Sequence, residues 1–171
     1  MKLIKSYLIF LVSLAGLSGC VKNELPTVKG SFVEFDATTW NANSAGRTYP
    51  ILTRVPAFGR AVNTGDPLLT KNSGTVKIRV NLVGAQRTTD TQISYSVEAA
   101  TTTAIAGTHY TALPGTVTIP ANTSFGEINL VILNTATAPP ATVDLVLVLT
   151  GGDGDVKANE NYKYIGLRIA L

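Results

Sequence analysis

The chain predicts an all-β protein, an antiparallel β-sandwich, and three observations point there. Apolar and polar residues alternate along most of its 171 residues. No long helical period appears after the first twenty positions. The alternating runs are short and are separated by glycine, proline, asparagine and aspartate turn signals, the pattern of two packed antiparallel sheets. A closed barrel is the alternative, but nothing in the pattern forces closure.

Each strand follows from its own alternation, because successive side chains of a strand point to opposite faces. "SFVEFDA" places Val33 and Phe35 together. "TVKIRVNLVG" sets Val76, Ile78, Val80 and Leu82 on one face, with Lys77, Arg79 and Asn81 on the other. "TQISYSVEA" turns Ile93, Tyr95 and Val97 inward, and "GTVTIP" offers Val117 and Ile119. "GEINLVIL" aligns Ile128, Leu130 and Ile132, while "TVDLVLVLT" and "NYKYIGLRIAL" supply two more strands. In "GGDGDVKANE", Asp153 and Asp155 stand at alternate positions. That spacing could hold a cation, but the rest of an EF-hand pattern is missing and glycine–aspartate turns produce the same letters.

The amino terminus has a different character. Lys2 and Lys5 precede an uncharged apolar run from Tyr7 to Leu17, and small residues lead to Cys20, the only cysteine. This is the layout of a secretory signal, and the run is too short to span a bilayer. "LSGC" resembles a bacterial lipobox, whose cysteine is lipidated and becomes the first residue of the processed protein. The expected organisation is a signal peptide over 1–19, a membrane-tether linker over 20–29 and one sandwich domain over 30–171. Extended, the linker reaches at most ~35 Å, so the domain rides close to the membrane.

Composition narrows the partners. The formal charge is +3, and two of the positive charges, Lys2 and Lys5, belong to the signal. Lys and Arg do not cluster, which argues against nucleic acid. With Cys20 acylated, no thiol is left for a disulfide, zinc or nucleophilic chemistry, so no cofactor is expected.

Residues 38–74 break the alternation. They hold Trp40, Tyr49, Pro50, Pro56, Phe58 and Pro67 around one short strand, "YPILTRV". An irregular excursion of this length is either functional or a cover for a sheet edge. Trp40 and Tyr49 are the candidate ligand contacts, with Asn41, Asn43 and Arg47 nearby to hydrogen-bond a sugar stacked on an aromatic ring. The alternative is that Trp40 packs over the sandwich edge, as tryptophans are highly buried on average. Tyr162 and Tyr164 read as cross-strand packing residues.

The stretch "AIAGTHYTALPGTVTIPANT" carries His109, the only histidine. With the strands on either side it resembles the Calx-beta domain, an immunoglobulin-like sandwich: a valine-rich strand, a tyrosine-bearing strand, an A-x-A-G-x-x-Y corner, a G-x-x-x-x-P strand and an I-x-L-x-I-L strand follow in order over about Gly74 to Gly152. The pairing with a lipobox is similar to small Bacteroidota lipoproteins of unassigned activity, many of which accompany SusC/SusD-type glycan importers. The corner also has a physical logic apart from the resemblance: Gly107 permits a positive φ, and Tyr110 can bury its ring while its hydroxyl reaches backbone. Calcium-binding members place clustered carboxylates at the strand ends. Here His109 stands where the corner usually has aspartate, and Asn134-Thr135 replace an acidic pair. Calcium binding of that type is therefore not expected, and no metal site is assigned.

Catalysis finds no support in the residue types. No serine lies in a Gly-x-Ser-x-Gly elbow, zinc would need more than one histidine or cysteine, and no pair of carboxylates is set for glycoside hydrolysis. His109 reads as a turn residue. The expectation is a non-catalytic outer-membrane lipoprotein, held by Cys20 on the periplasmic or the cell-surface side, the surface being favoured. It would serve as an accessory subunit of a surface complex with a protein partner, in association with SusC/SusD-type glycan uptake. A glycan-binding module using the Trp40 loop is the alternative, and a hydrolase a distant third.

Overall fold

A computed structural model describes residues 30–36, 43–136 and 140–171. Nine strands, β1 (Ser31–Phe35), β2 (Ile51–Leu52), β3 (Thr75–Val83), β4 (Thr91–Val97), β5 (Thr116–Ile119), β6 (Phe125–Val131), β7 (Thr142–Gly152), β8 (Val156–Ala158) and β9 (Tyr164–Ala170), form two sheets. One sheet has the order β6-β3-β1-β8 and the other β2-β9-β7-β4-β5. No helix occurs among the described residues.

The alternation read from the sequence is the alternation of burial. Val76, Ile78, Val80 and Leu82 of β3 are buried, as are Ile93 and Tyr95 of β4 and Val143, Leu145, Leu147 and Leu149 of β7. They meet Val33, Phe35, Ile128, Leu130, Ile165, Leu167 and Ile169 in one apolar cluster between the sheets. Each fully buried aliphatic or aromatic side chain contributes about 1.5–3 kcal/mol, so this layer supplies the stability of a chain without a disulfide in its described part.

The long strands pair antiparallel, as expected: β1 with β3, β3 with β6, β4 with β5 and β7, and β7 with β9. Two short strands depart from that rule. β8 joins β1 in parallel, with Ser31 opposite Val156, and β2 joins β9 in parallel, with Ile51 opposite Gly166. Both are edge strands, and β8 arises from a stretch whose letters announced only a turn. A three-residue strand carries too little periodicity to register in the sequence; it exists because the β1 edge offers it backbone partners.

One side of the sandwich is pinched shut. Gly126 of β6 faces Thr118 of β5 so closely that a Cβ added there would lie 2.4 Å from the Thr118 carbonyl oxygen. The edges of the two sheets therefore touch, and only glycine fits the contact.

Candidate functional site

The His109 corner is built by its own backbone. Gly107 has φ 80°, the left-handed conformation that glycine tolerates without strain. Its N–H donates to the Tyr110 carbonyl at 2.8 Å, and the His109 N–H donates to the Ile105 carbonyl at 2.8 Å. The His109 side chain closes the loop from the other direction, its Nδ1 accepting the Ile105 N–H at 2.8 Å. Tyr110 is 4 % exposed, and burial pushes its phenol up from the ordinary value. The imidazole thus serves as a cap for a backbone donor, with no nucleophile or carboxylate in its hydrogen-bond contacts.

The carboxylates are likewise engaged. Of the chain's 11 acidic residues, all but Glu24 lie among the described residues. Each of these has a partner within the domain. Asp66 binds Arg60, Glu127 binds Lys77 and Arg79, Asp144 binds Arg168, Asp155 binds Arg87 and Glu160 binds Lys163. Glu34 accepts from Asn159 at 2.7 Å, Asp36 from Asn81, and Asp90, Glu98 and Asp153 from backbone N–H groups. The two candidate cation ligands at the β7–β8 turn are therefore turned to separate tasks. Asp153 caps Gln92 at 2.9 Å, and the guanidinium of Arg87 holds Asp155 below the usual carboxylate range. No group of three His, Cys, Asp or Glu among the described residues could hold a metal ion.

Tyr49 sits away from the corner, and its ring is not offered to solvent. It is 8 % exposed and stacks on Tyr164, with centroids 5.6 Å apart and planes 26° apart. What the excursion does present is Arg47. A four-residue turn, in which the Arg47 N–H donates to the Ser44 carbonyl at 2.9 Å and Gly46 takes φ 71°, sets the backbone of this arginine. Its Nη1 donates to the Tyr49 hydroxyl at 3.2 Å.

Arg47 lines an open groove of about 700 Å³ together with Asn43 and, from the β8–β9 connection, Glu160, Asn161, Tyr162 and Lys163. Tyr162 is 38 % exposed. The volume lies within the ~300–1,000 Å³ of small-ligand sites. The alternation of "NYKY" marks Tyr162 as packing because an exposed aromatic and a buried one spell the same pattern; only the approach of residues 43–48 makes a groove beside it. Two other candidate residues, Cys20 and Trp40, lie outside the described residues.

Residues 68–163 match the family model described as a domain of unknown function, DUF4843, and the chain belongs to that family. No curated protein matches. Among solved structures, the apo-form Calx CBD1 domain aligns at 13 % identity with a TM-score of 0.55, over 83 % of this chain and 97 % of that one. This shows a Calx-beta-type sandwich. CBD12 from CALX1.2 aligns at 17 % identity and a TM-score of 0.49 over 60 % of this chain. A two-domain protein with unknown function from Bacteroides fragilis aligns at 11 % identity and 0.48 over 83 %. The chain spans less than half of each of the latter two, 39 % and 46 %. A shared fold does not fix a function, and activity has to be argued from a site.

Proposed function

We propose that this member of the DUF4843 family works by contact, not by chemistry: a non-catalytic lipoprotein of the outer membrane, surface side favoured, acting as an accessory subunit of a cell-surface complex of the SusC/SusD glycan-uptake type. One observation supports the contact reading above the others. Every described carboxylate is committed to a cationic side chain, an amide or a backbone N–H of the domain itself, so the acids fasten strands and turns. A general acid or base must instead face a reacting group. The anchor rests on the sequence around Cys20, where acyl chains would contribute ~0.8 kcal/mol per buried CH₂.

The test is metabolic labelling with a radioactive fatty acid, followed by pull-down from detergent-solubilised membranes. Label on the wild type and none on Cys20→Ser, with a stable co-purifying membrane protein, is the expected result. An unlabelled wild type removes the anchor, and a labelled protein recovered without a partner removes the accessory role.

A second reading, a surface glycan-binding module, is favoured by the groove between Arg47 and Tyr162. An exposed aromatic can stack on a sugar ring while the Asn43 and Asn161 side chains meet its hydroxyls. A polysaccharide panel tested with the wild type, Trp40→Ala and Tyr162→Ala checks it; retention of no polysaccharide by the wild type would retire it.

A further inference from the structure

The groove has a charge that no carboxylate among the described residues neutralises. Arg60, Arg79, Arg87 and Arg168 each pair with a carboxylate, and Arg54 donates to the Asp66 carbonyl. Lys163 and Glu160 of the groove cancel one another at 2.7 Å. Arg47 is different. Among the described residues no carboxylate pairs with it, and its Nη1 donates to a neutral hydroxyl.

A guanidinium has five N–H donors in a planar fork matched to a carboxylate. One donor on Tyr49 fixes the group and leaves others for a ligand. The turn around Gly46 sets the Arg47 backbone, and its bond to the hydroxyl of the buried Tyr49, which stacks on Tyr164, orients the guanidinium before anything binds. The exposed Tyr162 and the amides of Asn43 and Asn161 line the same groove.

We infer that this groove binds a carboxylated saccharide, a uronic-acid unit whose ring lies on Tyr162, whose hydroxyls meet the two amides and whose carboxylate is taken by the Arg47 fork. The inference rests on the glycan-binding reading and narrows it to acidic sugars. A neutral sugar would leave the guanidinium without its charge-assisted partner.

The full chain in detergent is titrated with oligogalacturonate, with its fully methyl-esterified form, and with polyglutamate. The wild type binds oligogalacturonate. Esterification, which removes the charge and keeps the ring, weakens binding about tenfold or more, the scale of one lost charge-assisted hydrogen bond. Arg47→Gln repeats that loss on the acid form and makes no difference to the ester, Arg47→Lys recovers part of it, and Tyr162→Ala weakens both sugars. The ester comparison uses the unaltered protein, so it stands even where a variant fails to fold. Equal binding of acid and ester, or binding only of neutral polysaccharides, overturns the acidic assignment and leaves the glycan reading intact. Polyglutamate binding as tightly as the sugar reduces the site to plain ion pairing and overturns the inference. Binding of no saccharide, acidic or neutral, removes the glycan reading and the inference with it.

Discussion

Two irregular stretches of this molecule hold their shapes by different means. The corner from Ala104 to Gly115 is closed by its own neighbours: Gly107 bonds Tyr110, and His109 bonds Ile105 through both its backbone and its ring. The excursion from Asn43 to Ser73 has internal ties of its own, Arg60 with Asp66 and the Leu69 N–H on the Thr53 carbonyl, and is docked by residues far away in the chain. β2 lies along β9, Tyr49 stacks on Tyr164, and Phe58 covers the Arg79 guanidinium at 4.1 Å, which Phe125 covers at 3.9 Å. The corner is thus folded by its own bonds and joined to the sheets by the buried Tyr110 ring and by backbone, the Thr111 N–H donating to the Val131 carbonyl and the Leu133 N–H to the His109 carbonyl. The excursion is a strap paired through its backbone to one sheet and clasped by aromatic side chains to the other, and loops of this kind are where binding surfaces arise.

The sharpest way to break that comparison is Tyr110→Ala. Removing a buried ring that links the corner to the core should cost about 3–5 kcal/mol and shift the single urea transition of the whole domain. A loss confined to residues near the corner would show that it is not part of the cooperative unit.

Arg79→Ala probes the strap. Two cation–π contacts and the pairing with Glu127 disappear, at about 1–2 kcal/mol. Hydrogen exchange should quicken in residues 53–67 while the urea midpoint moves much less than for Tyr110→Ala; equal shifts would erase the distinction between the two regions.

His109→Ala should cost about 1 kcal/mol, the loss of an acceptor for the Ile105 N–H. Expected with it is an unchanged affinity for whatever partner co-purifies, since the imidazole serves the loop. Abolition of some measurable turnover by this variant would reverse the non-catalytic reading.

The smallest effect is set by acid. Asp66, 7 % exposed, accepts from Arg60 and from the Asn63 N–H at 2.8 Å. Chiefly through Arg60, its carboxyl is lowered from 3.8 to about 2. A depressed folded-state value means that its contribution is whole above about pH 4 and fades as pH falls towards 2. Proteolysis within 53–67 should rise through that window in the wild type, and Asp66→Asn should show the raised rate already at neutral pH. A pH-independent cleavage rate in the wild type would detach Asp66 from the strap.

Legibility followed the range of the interactions. The strands with four or more residues were readable because burial on a two-layer sheet is a period-2 property of the local chain, and Val76, Ile78, Val80 and Leu82 spell it directly. The Gly107 turn was readable because its φ is a local demand. Short β8 was not, since Val156–Ala158 takes strand form only beside β1. Nor was the site: Tyr49 and Tyr162 are both tyrosines in alternating context, and burial of the first against exposure of the second depends on where β9 and the excursion meet.

By itself the sequence determined the sandwich, the inward face of each long strand, the glycine corner and the engagement of His109 in a turn, because these follow from periodicity and from backbone sterics within a few residues. Tertiary structure alone decided the parallel edges, the Gly126–Thr118 pinch, and the meeting of Arg47, which pairs with no carboxylate among the described residues, with Tyr162 in one groove. The parallel edges and the groove are made by residues far apart in the chain and the pinch by strands of opposite sheets, and no local pattern records which group will arrive across the fold to neutralise a charge or fill a contact.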